Sequence, residues 1–181
     1  MSVSSVPPFT LSDALRCALR YAFTADDQET YRICSYIRHH IEEIGMPQLL
    51  GMAKDIRSNL LIAGPLAETD PKISHYSKLA DAVESENRRR HPDNADAEES
   101  VIWNEETAFV FQCAVRYELS RHRFFPWGTS LLFKNHGKNF PSETALAIAN
   151  DIDVALSGQE MSTLDVPDWQ RFSSDLRRHA S

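Results

Sequence analysis

Long apolar runs are missing from this chain, and so are clustered cysteines. Nowhere do about 18 apolar residues follow one another, which is roughly the minimum for a membrane-spanning helix. The three cysteines, Cys17, Cys34 and Cys113, lie too far apart for a zinc knuckle, and their odd number argues against a disulfide framework. Residues 1–8 lack the basic start and the apolar run of a signal peptide. We therefore expect a soluble, cytoplasmic protein.

Sequence signatures of the common enzyme classes are missing as well. The chain has no Gly-rich phosphate loop, no nucleophile elbow of the G-x-S-x-G type, no HExxH zinc motif and no kinase signature. Its formal charge of −7 argues against a protein that binds nucleic acid regardless of sequence, because such proteins neutralise phosphates with clustered Lys and Arg. The charge fits a partner with a basic surface, or simply aids solubility.

What the chain does have is helical periodicity. Its 42% apolar and 25% charged residues are typical of a globular protein. Apolar residues recur three and four positions apart in nearly every long segment, which places them on one face of an α-helix. Acceptor side chains suited to helix N-caps precede several of these segments: Thr10, Asp26, Asp70 and Asn104. The pattern predicts an all-α fold, a compact bundle of six or seven helices.

The same reading divides the chain into a flexible lead-in at residues 1–9 and a single helical domain at residues 10–181. A fifth helix begins at Asn104, or earlier at Asp96, and ends at about residue 122. It carries apolar residues on more than one side, so we expect it to be the central helix. Proline and glycine punctuate residues 124–141, which predicts an irregular aromatic segment with a short strand at 131–133.

Two neighbouring stretches have opposite charge. Residues 91–106 contain six acids and no Lys or Arg, whereas residues 119–142 contain no acid at all. The acidic stretch either presents carboxylates to a basic partner or is an exposed linker with an acidic helix start. The second stretch mixes basic and aromatic side chains, which bind nucleic acid or form the hot spot of a protein interface. Alternatively, the aromatic side chains of the second stretch belong to the core, and its basic side chains only keep the loop in contact with solvent.

The seam between the two stretches is the predicted partner-binding surface. Its candidate residues are aromatic anchors, flanking cations and carboxylates: Phe125, Trp127, Arg121, Arg123, Lys134, Asp96, Glu98 and Glu99. Small size, acidity and missing catalytic motifs resemble the profile of immunity proteins, inhibitors and adaptors. The leading prediction is a non-enzymatic protein that binds and modulates a protein partner.

Arg116 and His122 form a candidate catalytic pair, six positions apart on the predicted fifth helix. An arginine followed by a histidine at the end of a helix resembles the arrangement in the helical HEPN ribonucleases. The resemblance, which covers these two residues and the all-α prediction, implies that His122 acts as acid or base toward a ribose hydroxyl while Arg116 holds the phosphate. A metal-independent ribonuclease is therefore an alternative function, and a nucleic-acid-binding module at residues 121–138 is another.

Histidine and carboxylate side chains one helical turn apart give candidate metal-binding pairs: His39 or His40 with Glu43, and Glu118 with His122. Di-iron bundles use the spacing Glu-x-x-His, whereas the second pair is one residue longer. His39 and Glu43 also fall away from the apolar face of their helix. We therefore predict no metal site and no cofactor.

Overall fold

The computed structural model describes residues 9–63, 70–90, 101–120, 127–158 and 166–181. Within these residues the chain forms eight α-helices and no strand, so the all-α prediction is confirmed. None of the described helices combines the length and the apolar character that a membrane crossing requires.

The helices follow one another along the chain as α1 (Leu11–Ala22), α2 (Asp27–His39), α3 (Met46–Ala63), α4 (Pro71–Arg89), α5 (Glu105–Ser120), α6 (Trp127–His136), α7 (Ser142–Gly158) and α8 (Val166–Ala180). Short 3₁₀ turns follow two of them, Ile41–Glu43 after α2 and Gly137–Asn139 after α6.

Side-chain caps start several helices where the sequence predicts them. The Thr10 hydroxyl accepts from the N–H of Asp13 at 3.2 Å, and the Asp13 carboxylate accepts from the N–H of Thr10 at 2.9 Å, which is a reciprocal capping box. Asp26 and Asp70 likewise accept from backbone N–H groups of the turns that they precede. Each cap gives a partner to an N–H group that the first helical turn leaves unpaired.

Helices α1 and α5 pack along each other at the centre of the bundle, and α5 also contacts α2, α6 and α7. Val110 and Phe111 are both completely buried although they are adjacent in sequence. Adjacent residues point to different sides of a helix, so α5 is covered on more than one side, as its apolar pattern predicted. Helix α4 packs on α2 and α3, and α8 packs on α7.

Residues 127–136 form a helix, so the prediction of an irregular segment over 124–141 with a strand at 131–133 is wrong for this part of the chain. Leu132 and Phe133 are buried together with Thr129, and spacings of three and four are those of one helical face. The buried face of α6 therefore has helical period, which the short apolar run hid.

Gly128 is one reason why the sequence misled us about α6. Glycine usually marks a turn, but this one lies in the first turn of the helix, against the ring of Phe9. A Cβ atom at this position would come within 2.5 Å of that ring. Here glycine permits close packing and does not end the helix.

An aromatic cluster joins α5, α6 and the start of α7. The Phe140 ring lies 4.8 Å from Trp103, 5.4 Å from Phe111 and 5.5 Å from Phe133, measured between ring centroids and with edge-on geometry throughout. Phe133 and Phe140 are buried. Phe133 and Phe140 belong to the stretch of basic and aromatic residues at 119–142. For these two, the alternative prediction that the aromatic side chains form part of the core is therefore correct.

Candidate partner-binding surface

A groove of about 530 Å³ opens between α2 and the first turn of α5. We call it the α2–α5 groove. Its lining combines tyrosine and histidine rings, one arginine, small polar groups and two carboxylates: Tyr31, Arg32, Ser35, Tyr36, His39, His40, Asn104, Glu105 and Glu106.

The acidic wall of the groove exists because Asn104 caps α5. Its side-chain oxygen accepts from the N–H of Thr107 at 2.8 Å and lies 3.0 Å from the Thr107 hydroxyl. Helix α5 therefore begins at Glu105, and both Glu105 and Glu106 stand exposed in its first turn. Carboxylates are favourable there because the helix dipole is positive at its N-terminus.

The opposite wall is fixed to α5 by one buried hydrogen bond. The hydroxyl groups of Tyr36 and Thr107 lie 2.8 Å apart, although the two residues are 71 positions apart in the sequence. Burial raises the pKa of Tyr36, so the phenol stays protonated. The His40 ring stacks on the Tyr36 ring at 4.2 Å between centroids, which places an imidazole at the mouth of the groove.

Arg32 bridges the two walls. Its guanidinium lies over the Phe109 ring, 3.6 Å from the centroid, and its Nη2 atom is 2.6 Å from a carboxylate oxygen of Glu106. A cation stacked on an aromatic face and paired with a carboxylate is held in a defined orientation. The groove is thus shaped by contacts between helices α2 and α5.

Two large apolar side chains are exposed to solvent, one in the lining of the groove and one two residues before its lining residue Asn104. Tyr31 is 55% exposed, and its ring contacts the edge of the His75 ring at 5.2 Å between centroids. Ile102, two residues before the Asn104 cap, is 76% exposed. Exposed aromatic and aliphatic side chains beside a polar groove are typical of interaction sites.

A hydrogen bond connects the segment that precedes α5 to the end of α6. The indole N–H of Trp103 donates to the backbone carbonyl of His136 at 2.6 Å. This bond joins the end of the acidic stretch to the end of α6, where Lys134 is exposed. We define the seam surface as Tyr31, Ile102, Glu105, Glu106 and Lys134.

Of the predicted partner-binding residues, the structure fully describes Lys134. Trp127 is the first residue of α6, and its side chain is outside the described part of the structure. The other six predicted residues lie outside the described ranges: Arg121, Arg123, Phe125, Asp96, Glu98 and Glu99. The structure does show that the segments carrying the two charged stretches meet, through Trp103 and His136.

Sequence reasoning missed Tyr31, Arg32 and Ile102. Tyr31 and Ile102 carry large apolar side chains that do not lie on the buried face of their segments. An apolar side chain at a position where helical periodicity predicts a polar one could have indicated an exposed binding residue. No local signal pointed to Arg32, because its partners Phe109 and Glu106 lie far along the chain.

Arg116, the candidate phosphate ligand, lines a different groove, with a volume of about 690 Å³ between α1, α3 and α5. Its Nε atom lies 3.0 Å from a carboxylate oxygen of Asp151, and its Nη1 atom lies 3.3 Å from the Tyr21 hydroxyl and 3.8 Å from Glu29. The guanidinium is therefore already paired with two carboxylates. His122 is outside the described residues, so the pair as such has no geometry here.

The other arginine in the lining of this second groove, Arg20, is also paired with a carboxylate. Arg20 and the neighbouring Arg16 both bring Nε to within 3.0 Å of one carboxylate oxygen of Asp55. Burial of Asp55 opposes its ionisation, but the hydrogen bonds from the two arginines outweigh that effect and lower its pKa. These ion pairs link α1 to α3, which explains the arginines without a ligand.

Among the described residues, the candidate metal pairs have no third ligand. The His40 ring nitrogen Nδ1 lies 3.3 Å from a Glu43 carboxylate oxygen, and His39 is exposed. Within the described ranges, three or more His, Cys, Asp or Glu side chains nowhere converge as metal ligands. Glu118 is buried against Thr129, and its predicted partner His122 is not described.

Comparisons with protein-family models, with curated proteins and with solved structures found no match to this chain.

Proposed function

We propose that this protein is a non-enzymatic interaction protein of the inhibitor, immunity or adaptor type, and that it binds its protein partner through the seam surface. The observation that supports this most is an open groove with an exposed ring in its lining, Tyr31 at 55% exposure, together with Ile102, which is 76% exposed and precedes the lining residue Asn104 by two positions. Burial of such side chains supplies much of the free energy of protein association.

The charges of the seam surface favour a partner with basic residues. Glu105 and Glu106 are exposed at the positive end of a helix dipole, and they end a sequence stretch of six acids without Lys or Arg. Glu106 already pairs with Arg32, so Glu105 is the carboxylate of this turn that we assign to the partner. Opposite charges across an interface steer association and fix its register. We therefore expect the partner to place lysine or arginine side chains against the first turn of α5.

The chemistry of the groove argues for binding and against catalysis. Ser35 and His39 are the two lining residues that most resemble a nucleophile and its general base, because the Ser35 hydroxyl lies 3.4 Å from the Nδ1 atom of His39. The same Nδ1 atom lies 2.6 Å from the carbonyl oxygen of Ser35. A carbonyl only accepts, so Nδ1 carries the proton and is unable to take one from the hydroxyl.

We also infer that the protein acts in the cytoplasm. Cys17, Cys34 and Cys113 are free thiols on separate helices, and burial raises the pKa of each to about 12. Buried, protonated thiols suit a reducing compartment, where they serve as small core residues. Cell fractionation tests this: an extracellular or periplasmic location would contradict the inference.

Affinity capture from a lysate of the source cells tests the proposed function. We expect one protein to be captured in stoichiometric amount by the wild type and by Tyr31→Phe, which keeps the ring. Capture should fall at least tenfold with Tyr31→Ala and with Ile102→Asp, because each removes apolar area from the interface.

Val154→Asp is the matched control for these variants. Val154 is 70% exposed on α7 and does not line the groove, so the added charge should leave capture unchanged. Equal capture by all variants would contradict the proposed surface, and an empty eluate would contradict the function itself.

A ribonuclease that uses Arg116 and His122 is the second candidate. One observation favours it: Arg116 lines a groove with Arg20 and with Ser120, the last described residue before His122. Its pairing with Asp151 and Glu29 argues against a free phosphate ligand. Purified protein should show no RNA cleavage, and cleavage that is lost in His122→Ala would establish the ribonuclease instead.

A further inference from the structure

Helix α3 carries exposed apolar side chains on the side that faces away from the core. Of the seven large apolar side chains that are exposed in the described part of the chain, three belong to this helix. Leu50 is 52% exposed, and Leu61 and Ile62 are 83% and 85% exposed. The opposite side of α3 serves the core, where Met52 and Ile56 are completely buried. Packing within the bundle therefore does not account for the three exposed residues.

Two cations lie between the exposed leucines on the same face of α3. Lys54 and Arg57 are exposed, and with Leu50 and Leu61 they follow the helical spacing four, three, four. At about 100° per residue these four positions fall within an arc of roughly 60°, and the two leucines lie about 16 Å apart along the helix axis. They form one narrow stripe. We call this stripe, together with Ile62 beside it, the α3 ridge.

The ridge and its flanks carry excess positive charge, although the formal charge of the chain is −7. Arg57 pairs with one carboxylate, that of Glu84 on α4. On the α1 side, Arg16 and Arg20 share the single carboxylate of Asp55, each with 3.0 Å between Nε and the oxygen. The exposed lysine of the ridge adds a fourth cation. Four cations therefore stand against two carboxylates among these described side chains.

This pattern does not fit a second copy of the chain. In an antiparallel pair of α3 helices, contact between Leu50 of one copy and Leu61 of the other sets Lys54 opposite Arg57. A parallel pair sets each cation opposite itself. Like charges that face each other across an interface oppose association.

A membrane surface fits no better. Amphipathic helices that lie on membranes keep lysine and arginine on the polar face and bury the opposite, apolar face. In the α3 ridge both cations share one stripe with the leucines, so burial of the leucines in lipid would also bury the cations. A protein surface with carboxylates between two apolar groups matches the stripe.

We propose that the α3 ridge binds an amphipathic acidic helix of a protein partner, which lies along α3. Its apolar side chains pack on Leu50 at one end and on Leu61 and Ile62 at the other, and its carboxylates lie against Lys54 and Arg57. Apolar burial stabilises the complex, and the opposite charges fix its register. The described lining of the α2–α5 groove contains no residue of α3, so this site goes beyond the proposed function.

Binding of two synthetic helical peptides of about 20 residues to the full chain tests the proposal. The acidic peptide carries the pattern Leu-x-x-x-Glu-x-x-Glu-x-x-x-Leu on an alanine-rich background, and its matched control has lysine in place of both glutamates. We expect fluorescence anisotropy to show at least tenfold tighter binding of the acidic peptide. This preference should weaken as salt rises, because exposed charges are screened.

Three variants locate the binding site on the ridge. Leu61→Ala should weaken binding of the acidic peptide at least tenfold, and Lys54→Glu should abolish the preference between the two peptides. Val154→Ala is the matched control, because Val154 is 70% exposed on α7 and lies outside the ridge. Ile102→Asp alters the seam surface alone and should bind the acidic peptide like the wild type, which separates this result from a failure of the proposed function.

Failure of the acidic peptide to bind, equal affinity for both peptides, or wild-type affinity in Leu61→Ala would each overturn the proposal. Two further results would assign the ridge to another occupant and overturn it as well. One is sedimentation of the chain with phosphatidylglycerol vesicles that is lost in Leu61→Ala. The other is a wild-type dimer, seen by analytical ultracentrifugation, that dissociates in the same variant.

Discussion

The indole N–H of Trp103 donates to the backbone carbonyl of His136, with 2.6 Å between nitrogen and oxygen. This bond ties the acidic stretch to the end of α6, while the Trp103 ring packs edge-on against Phe111 and Phe140. One residue thus connects the two oppositely charged segments and the aromatic cluster beneath them. Two residues of the seam surface lie near this connection in the sequence, Ile102 on one side and Lys134 on the other.

Replacing Trp103 by Phe tests that connection. The variant keeps an aromatic ring but loses the donor to His136, so the free energy of unfolding should fall by about 0.5–1.5 kcal/mol. Amide exchange at the end of α6 should also accelerate. Urea unfolding and hydrogen exchange measure the two effects. Wild-type stability together with wild-type exchange would show that the hydrogen bond does not hold the seam.

Arg116 has a structural role in this account. Arg116→Ala leaves Asp151 and Glu29 without their cation, so we expect it to lower the free energy of unfolding by about 1–2 kcal/mol. Arg171→Ala is the control: Arg171 is 74% exposed and pairs with Asp168 on its own helix, so its loss should cost under about 0.5 kcal/mol. Equal stabilities of the two variants in urea would contradict the structural role.

Glu86 predicts a component of acid unfolding. It is 6% exposed and accepts from Arg89 at 2.7 Å and from Arg90 at 2.9 Å. The hydrogen bonds from Arg89 first, and then those from Arg90, outweigh burial and lower the pKa of Glu86 to about 2. Its contribution to stability is therefore present above pH 4.5 and is lost as pH falls through about 2.

The variant Glu86→Gln should flatten the decline of stability between pH 4.5 and pH 2, measured by urea unfolding. If the wild type and Glu86→Gln lose stability in parallel over this range, the ionised Glu86 does not stabilise the native state.

Gly128→Ala should destabilise the protein by about 1–3 kcal/mol, because the new Cβ atom would meet the Phe9 ring at 2.5 Å. Gly158→Ala, at the end of α7, is the matched control. Nothing lies within 4 Å of a Cβ atom there, so its thermal midpoint should stay near that of the wild type. A Gly128→Ala variant as stable as Gly158→Ala would show that α6 does not need the close contact.

Local sequence was enough to predict the helix starts at Thr10, Asp26 and Asp70, since a cap and its N–H partner lie within three residues. For α5 the sequence offered both Asp96 and Asn104 as caps, and the structure has Asn104 in that role. The nature of α6 was not predictable in this way. Gly128 is explained by Phe9, which is distant in sequence and adjacent in space. A residue pattern read along the chain does not contain that contact.

The candidate site, too, was only partly predictable from the sequence. The two charged stretches were visible in the sequence, and in the described part of the chain they meet through the hydrogen bond between Trp103 and His136. The α2–α5 groove was not visible, because it depends on the pairing of Tyr36 with Thr107, 71 positions apart, and on the stacking of Arg32 over Phe109. Contacts between helices create the groove, and helical periodicity alone does not specify which helices meet.

Hydrogen exchange of the chain with and without its captured partner tests the central claim most directly. The account predicts that binding slows amide exchange in residues 31–39 of α2 and in residues 102–107, and leaves residues 142–158 of α7 unchanged. Protection confined to α7, or protection that bypasses both walls of the α2–α5 groove, would contradict the claim that the seam surface binds the partner.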